Sequence, residues 1–162
     1  MIRVRAEKAA ARRFDSPEQE AYLGLWRTYD RLRAIETAFF AGYGLTAQQY
    51  NVLRLLKAER PGSLPTLALA ERLISKAPDI TRMLDALETR GLVSRVRSTA
   101  DRRSVLAAIT TAGVALVDQI AEPLRLTHQR QLGHLSGAEL KALTRLLRAA
   151  RSPHEPDDSE WR

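Results

Sequence analysis

The sequence predicts a mainly α-helical chain with a small β wing, a winged helix-turn-helix flanked by N- and C-terminal dimerisation helices. Three observations predict it. Two short amphipathic helical patterns follow one another between Leu64 and Gly91. They run directly into two strand-like segments, 92–97 and 105–110, joined by the charged turn Ser98-Thr99-Ala100-Asp101-Arg102-Arg103. Long apolar stripes at helical spacing then occupy both ends of the chain.

Helix starts are marked by three boxes of the form S/T-x-x-E/Q, at Ser16 to Gln19, Thr46 to Gln49 and Ser136 to Glu139. Each pairs two backbone donors that a helix start otherwise leaves without partners. The first helix is expected from Pro17 to Ala41, with Tyr22, Trp26, Tyr29, Leu32 and Phe39 on one stripe and Gly42 and Gly44 ending it. The second is expected from Ala47 to Glu59, ahead of Pro61-Gly62. Leu64 reads as a minimal strand. Thr66 is expected to cap a third helix reaching Leu73, with Leu67, Ala70 and Leu73 facing inward.

Ser75 is expected to begin the fourth helix, with Pro78 tolerated in its first turn. Ile80, Met83, Leu84 and Leu87 share its inner face, which leaves Pro78, Asp79, Thr81, Arg82 and Asp85 outside, and Gly91 ends it. Thr110 caps a fifth helix to about Leu132, with Val114, Val117, Ile120 and Leu124 inward and Pro123 as a kink site. The sixth helix starts at Ser136 and stripes Leu140, Leu143 and Leu147. The organisation expected is therefore a basic N-terminal arm (1–16), a helical dimerisation region (17–43 and 111–150), a winged-helix region (44–110) and a disordered acidic tail (151–162).

A length of 162 residues suits a single domain. Hydrophobic residues make up 44% of the chain, yet no apolar run approaches a bilayer span, and the N-terminus lacks the apolar core of a secretory signal. A cytoplasmic protein without membrane contact is expected. Cysteine is absent, which excludes disulfides, thiolate metal sites and thiol switches in these residues. The three histidines, His128, His134 and His154, have no ligand spacing, so neither metal nor other cofactor is expected. With no Gly-rich phosphate loop and no paired acid and base, an enzyme is not expected either.

The net charge of +7 is unevenly placed: residues 44–110 carry +5 and residues 1–16 carry +3. Such a distribution suits a polyanion, although solubility alone would also account for a basic protein. The outward residues of the winged region are the candidates for contact with double-stranded DNA: Thr66, Pro78, Asp79, Thr81 and Arg82 on or near the helices, and Arg95, Arg97, Asp101, Arg102 and Arg103 on the wing. The plainer reading of Arg82 is an ion pair with Asp85 or Asp79 on a solvated face. For Arg95 and Arg97, which alternate with Val96, it is the wet face of a strand.

Taken in order, the residues resemble the MarR family of bacterial transcriptional regulators. Leu45 to Leu53 is similar to that family's second helix, Thr66 to Leu73 to its third, and Ile80 to Val93 to its recognition helix and exit. Asp101-Arg102-Arg103-Ser104-Val105 followed by Thr110-Thr111-Ala112-Gly113 resembles its wing signature. The likeness covers residues 17 to 150. It implies a homodimer on a pseudo-palindromic operator, repressor in sign, with Pro78, Asp79, Thr81 and Arg82 at the major groove. It also implies Arg103 in the minor groove, steadied by a bond from its guanidinium to Asp101. Pro78 and Asp79 depart from the small polar residues common there, so no base preference carries over. Trp26, Tyr29, Tyr43 and Tyr50 are candidates for binding a small lipophilic or phenolic effector, with core packing the plainer alternative. The rival to a specific regulator is a winged-helix architectural or protein-interaction module without an operator of its own.

Overall fold

A computed structural model describes residues 14–75, 79–99, 101, 103–157 and 159. The expected basic arm up to Arg13, Pro78 and Arg102 lie outside the described residues. Two compact units divide the chain at residues 1–35 and 36–162, so that the first helix crosses from one into the other.

The elements run α1 (Pro17–Ala41), α2 (Ala47–Ala58), β1 (Leu64–Pro65), α3 (Thr66–Glu71), α4 (Ile80–Thr89), β2 (Val93–Arg97), β3 (Val105–Ile109), α5 (Thr111–Leu132) and α6 (Gly137–Arg151). The strands form one antiparallel sheet in the order β1-β3-β2, with Leu64 opposite Ala107 and Arg95 opposite the same Ala107 from the other side. Because β3 is central, β2 and β3 project beyond β1 as the wing.

Capping explains most of the boundaries. Thr46 and Ser136 form complete reciprocal boxes with Gln49 and Glu139, and the Thr110 hydroxyl accepts from the Gly113 N–H at 3.1 Å. At α1 the box is half formed: Ser16 accepts from the Gln19 N–H, but the Gln19 side chain reaches one residue further back, to the Asp15 N–H at 2.8 Å. A Cβ at Gly113 would stand 2.2 Å from the Leu92 carbonyl oxygen, so only glycine lets α5 start this close to the exit of α4.

In the second unit, Val52, Leu53, Leu56, Leu69, Leu84, Leu87 and Ile120 are fully buried and join α2, α3, α4 and α5 around one core. The inner face expected for α4 is the observed one. Asp118 of α5 and Lys57 of α2 form an ion pair across the rim of that core. α5 continues through Pro123, whose carbonyl accepts from the buried Thr127 hydroxyl at 3.0 Å.

Four expectations are corrected. Thr66 does not cap α3: Pro65 occupies the cap position, and the Thr66 hydroxyl donates instead to the Val105 carbonyl of β3 at 3.1 Å. Leu67 is 77% exposed, because α3 is short and its inward place goes to Leu69, two residues on and therefore on the opposite face. α4 begins at Ile80 rather than at Ser75, because Asp79 supplies the cap by accepting from the Arg82 N–H at 2.9 Å. The tail is ordered at its start: Ser152–His154 form a 3-10 turn, Arg151 lies 3.5 Å from Glu155, and Ser159 donates to Glu155.

Candidate nucleic-acid interface

The sequence separates Thr66, Thr81 and Arg103 by up to 37 positions, and the fold brings them to one place. α3 lies against β1 and β3, α4 packs on α3, and the hairpin folds back over both. The result is a hollow of about 340 Å³ lined by Thr66, Leu67, Thr81, Arg95, Asp101 and Arg103, together with Ser104 and Val105. Five of the ten residues expected to meet DNA line it. Arg82 stands one residue beyond Thr81 on the exposed turn of α4, and Arg97 lies exposed at the outer end of β2.

Their chemistry differs from one to the next. The Arg82 side chain is 87% exposed and, among the described residues, makes a long contact of 3.9 Å to Asp79, which leaves its guanidinium room to reach outward. Asp79 itself is occupied with the helix cap. That is a different task from the base contact expected of it, although the cap holds the backbone that carries Thr81 and Arg82.

The wing tip is ordered by its own polar groups. Ser98 N–H donates to the Ser104 carbonyl, Ser104 N–H to the Asp101 carbonyl, and Asp101 N–H to the Ser98 hydroxyl. The Asp101 carboxylate accepts from the Arg103 backbone N–H at 3.0 Å. The link between these two residues therefore runs through the main chain and not, as expected, through the guanidinium. A short Asp side chain two residues upstream is well placed for such an Asx turn, and the arginine side chain stays available.

Arg95 has a third kind of role. Its guanidinium approaches Glu88 at 2.6 Å and Asp85 at 2.5 Å, and its backbone N–H donates to Glu88 at 3.1 Å. Hydrogen bonding from Arg95 holds the Glu88 carboxyl below the usual carboxylate range. The residue expected to reach a phosphate is thus turned inward onto α4. Glu88, which takes the Arg95 guanidinium, and Arg90, whose guanidinium donates to the Gly44 and Tyr43 carbonyls 46 and 47 positions away, carry no local signal of these contacts.

Of the four aromatic residues considered for an effector, Tyr50 is a core residue, 7% exposed with its ring 5.0 Å from Phe40, and burial pushes its phenol above the ordinary value. Tyr43 leans on Phe39 at 5.3 Å. In the first unit Trp26 and Tyr29 are 62% and 59% exposed, and Trp26 meets Tyr22 edge to face.

Comparison with known proteins bears on this arrangement. The family model described as MarR family matches residues 45–105, which run from α2 through the residues of the hollow to the start of β3. The crystal structure of a MarR transcription factor from Planctomyces limnophilus is similar at 53% identity, covering 83% of this chain and 98% of that one, with a TM-score of 0.68. The chain belongs to the MarR family.

The chain is also 31% identical over 105 residues to the HTH-type transcriptional repressor YetL of Bacillus subtilis; that match takes in 65% of this chain and 63% of YetL, less than two thirds of its length. It is 28% identical to Bordetella bronchiseptica BpsR, covering 81% of this chain and 98% of that one at a TM-score of 0.72. The BpsR structure is described as showing regulation of its DNA binding by 6-hydroxynicotinic acid. MarR-family members are transcription factors and not enzymes. Among the described residues no helix is long and apolar enough to cross a membrane, and no group of three or more acidic, His or Cys side chains is placed to hold a metal ion.

Proposed function

We propose that this chain is a DNA-binding transcriptional regulator, repressor in sign, that grips a pseudo-palindromic operator as a homodimer and is released by a small aromatic effector. One observation carries the reading. Thr81 on the exposed end of α4, with Arg82 next to it in the chain, and Arg103 on the wing tip stand at a single hollow, lined by Thr81 and Arg103, in a region of net positive charge. An outward arginine on a helix matches guanine O6 and N7 in the major groove, while an arginine on a narrow hairpin suits the negative potential of the minor groove. Thr66 and Arg97 extend the polar and basic face toward the phosphates, and Asp79 borders the major-groove side.

Dimerisation accounts for a second set of exposed side chains. Tyr22, Trp26 and Tyr29 on α1, Leu126 on α5, and Leu146 and Leu147 on α6 are open in the single chain, and α6 buries none of its residues. A two-fold pairing through these helices covers them and sets two copies of α4 about one DNA turn apart, roughly 34 Å. Cytoplasmic residence follows from that task. The naming of YetL as a repressor and the control of BpsR by an aromatic acid support the sign and the effector class.

The test is a salt titration of binding to a duplex selected by the protein from a random pool and to a scrambled duplex. A specific regulator prefers the selected duplex by at least about a thousandfold. Equal affinity for both duplexes makes it an architectural protein, and affinity for neither makes it an interaction module.

A further inference from the structure

We infer that Arg90 is a positioning residue for DNA recognition: its guanidinium pins the C-terminal end of α4 to the carbonyl end of α1 and thereby sets the pose of Thr81 and Arg82. The inference rests on the regulator reading above.

α1 closes in a Schellman motif. Leu45 N–H donates to the Phe40 carbonyl and Gly44 N–H to the Ala41 carbonyl, both at 3.0 Å, and Gly44 has φ of 64°, the left-handed conformation this ending requires. Those bonds use the Phe40 and Ala41 carbonyls and not those of Tyr43 and Gly44. The last turn of α1 contains no basic residue, so nothing local offsets the negative end of its dipole. Arg90 supplies both needs from 46 and 47 positions away: Nη1 donates to the Gly44 carbonyl at 2.5 Å and Nη2 to the Tyr43 carbonyl at 3.1 Å. The guanidinium lies against Gly44, about 3.6 Å from the position of a Cβ there.

Two donors of one planar fork on two carbonyls fix direction as well as distance, which a lysine ammonium does not do. Arg90 is also the C-cap of α4, with its own N–H bonded to the Glu88 carbonyl, so the anchor sits at the very end of the helix. α4 has 10 residues. At 1.5 Å per residue it is about 15 Å long, and a slip of about 1 Å at one end tilts it by about 4°. In a two-fold complex the error enters once from each protomer and changes the distance between the two reading heads. Both bonds are at the surface and contribute little to global stability, so the decisive readout is spacing and not melting.

The experiment compares the wild-type chain with Arg90→Ala and Arg90→Lys on the duplex selected by the wild type and on versions with one base pair added to or removed from its centre. The wild type is expected to favour the selected spacing. Arg90→Ala is expected to bind that duplex about tenfold more weakly and to lose most of the discrimination between spacings, with Arg90→Lys in between. Wild-type spacing discrimination in Arg90→Ala, or in Arg90→Lys if the alanine variant does not fold, overturns the proposal whatever happens to affinity. Should the wild type select no two-fold site, the regulator reading fails first, and amide exchange on the free protein decides the anchor. Faster exchange at Met83 to Leu87 in Arg90→Lys supports the anchor, and unchanged exchange overturns it.

Discussion

Arg95 on β2 and Glu88 on α4 meet through three hydrogen bonds, two from the guanidinium and one from the Arg95 backbone N–H, with Asp85 closing on the same guanidinium at 2.5 Å. The wing is therefore braced against the helix that carries Thr81 and Arg82. Arg95→Ala is expected to lower the melting temperature by several degrees while leaving the salt slope of DNA binding nearly unchanged. Glu88→Gln in the same chain should add less than it does alone, since both changes break one contact. Fluorescence anisotropy across a salt series checks this. A slope smaller by about one unit in Arg95→Ala would make Arg95 a phosphate ligand after all.

Arg82 has an open guanidinium, so Arg82→Ala is expected to cost about 1–3 kcal/mol on the selected duplex and much less on scrambled DNA. Competition binding with both duplexes measures it. Equal loss on every sequence would reassign Arg82 to the phosphates.

Arg103→Ala is expected to reduce the salt slope by about one unit and to preserve most of the sequence preference. Because the Asp101 carboxylate holds the Arg103 backbone N–H, Asp101→Asn keeps an acceptor in place and should bind at least as well as wild type, whereas Asp101→Ala should bind more weakly. Comparable weakening in both variants would point to the carboxylate charge instead of the turn.

Trp26→Asp and Tyr29→Asp place a charge on the exposed aromatic stripe of α1. Each is expected to shift the sedimentation equilibrium from dimer toward monomer with helical circular dichroism retained. A stable wild-type monomer at micromolar concentration would remove the basis for the two-fold complex.

The Glu88, Glu122 and Glu139 carboxyls are held below their ordinary value, chiefly by side-chain hydrogen bonds from Arg95, Arg125 and Ser136 respectively. A folded value lower than the unfolded one means that their stabilisation is present in full above the unfolded carboxylate range, near about 4.3. It is lost as pH falls through the folded values. Melting temperatures are expected to be insensitive to these groups between pH 8 and 6 and to fall in acid, less steeply so in Ser136→Ala. Thermal melts monitored by circular dichroism at each pH settle the direction, and a Ser136→Ala profile as steep as wild type would exclude the cap as a cause.

The helices, the order of the strands along the chain and most of the inner faces were legible because their causes are local. Capping boxes at Thr46 and Ser136, the cap at Thr110, the glycines after α1 and α4, and the spacing of Leu84 and Leu87 all act within one or two turns. What only the tertiary structure decided are the partners of long side chains. Thr66 is close enough to a helix start to look like a cap, yet a strand 39 positions away offers its carbonyl. Arg95 alternates outward in the strand pattern, and only the packing of α4 beside β2 places two carboxylates under it. Arg90 looks like an ordinary solvated residue until the end of α1 is folded next to it. Periodicity reports which face a side chain leaves from; the fold alone determines which charge or carbonyl waits within hydrogen-bond reach, since that reach is about 3 Å and the chain closes loops of tens of residues to achieve it.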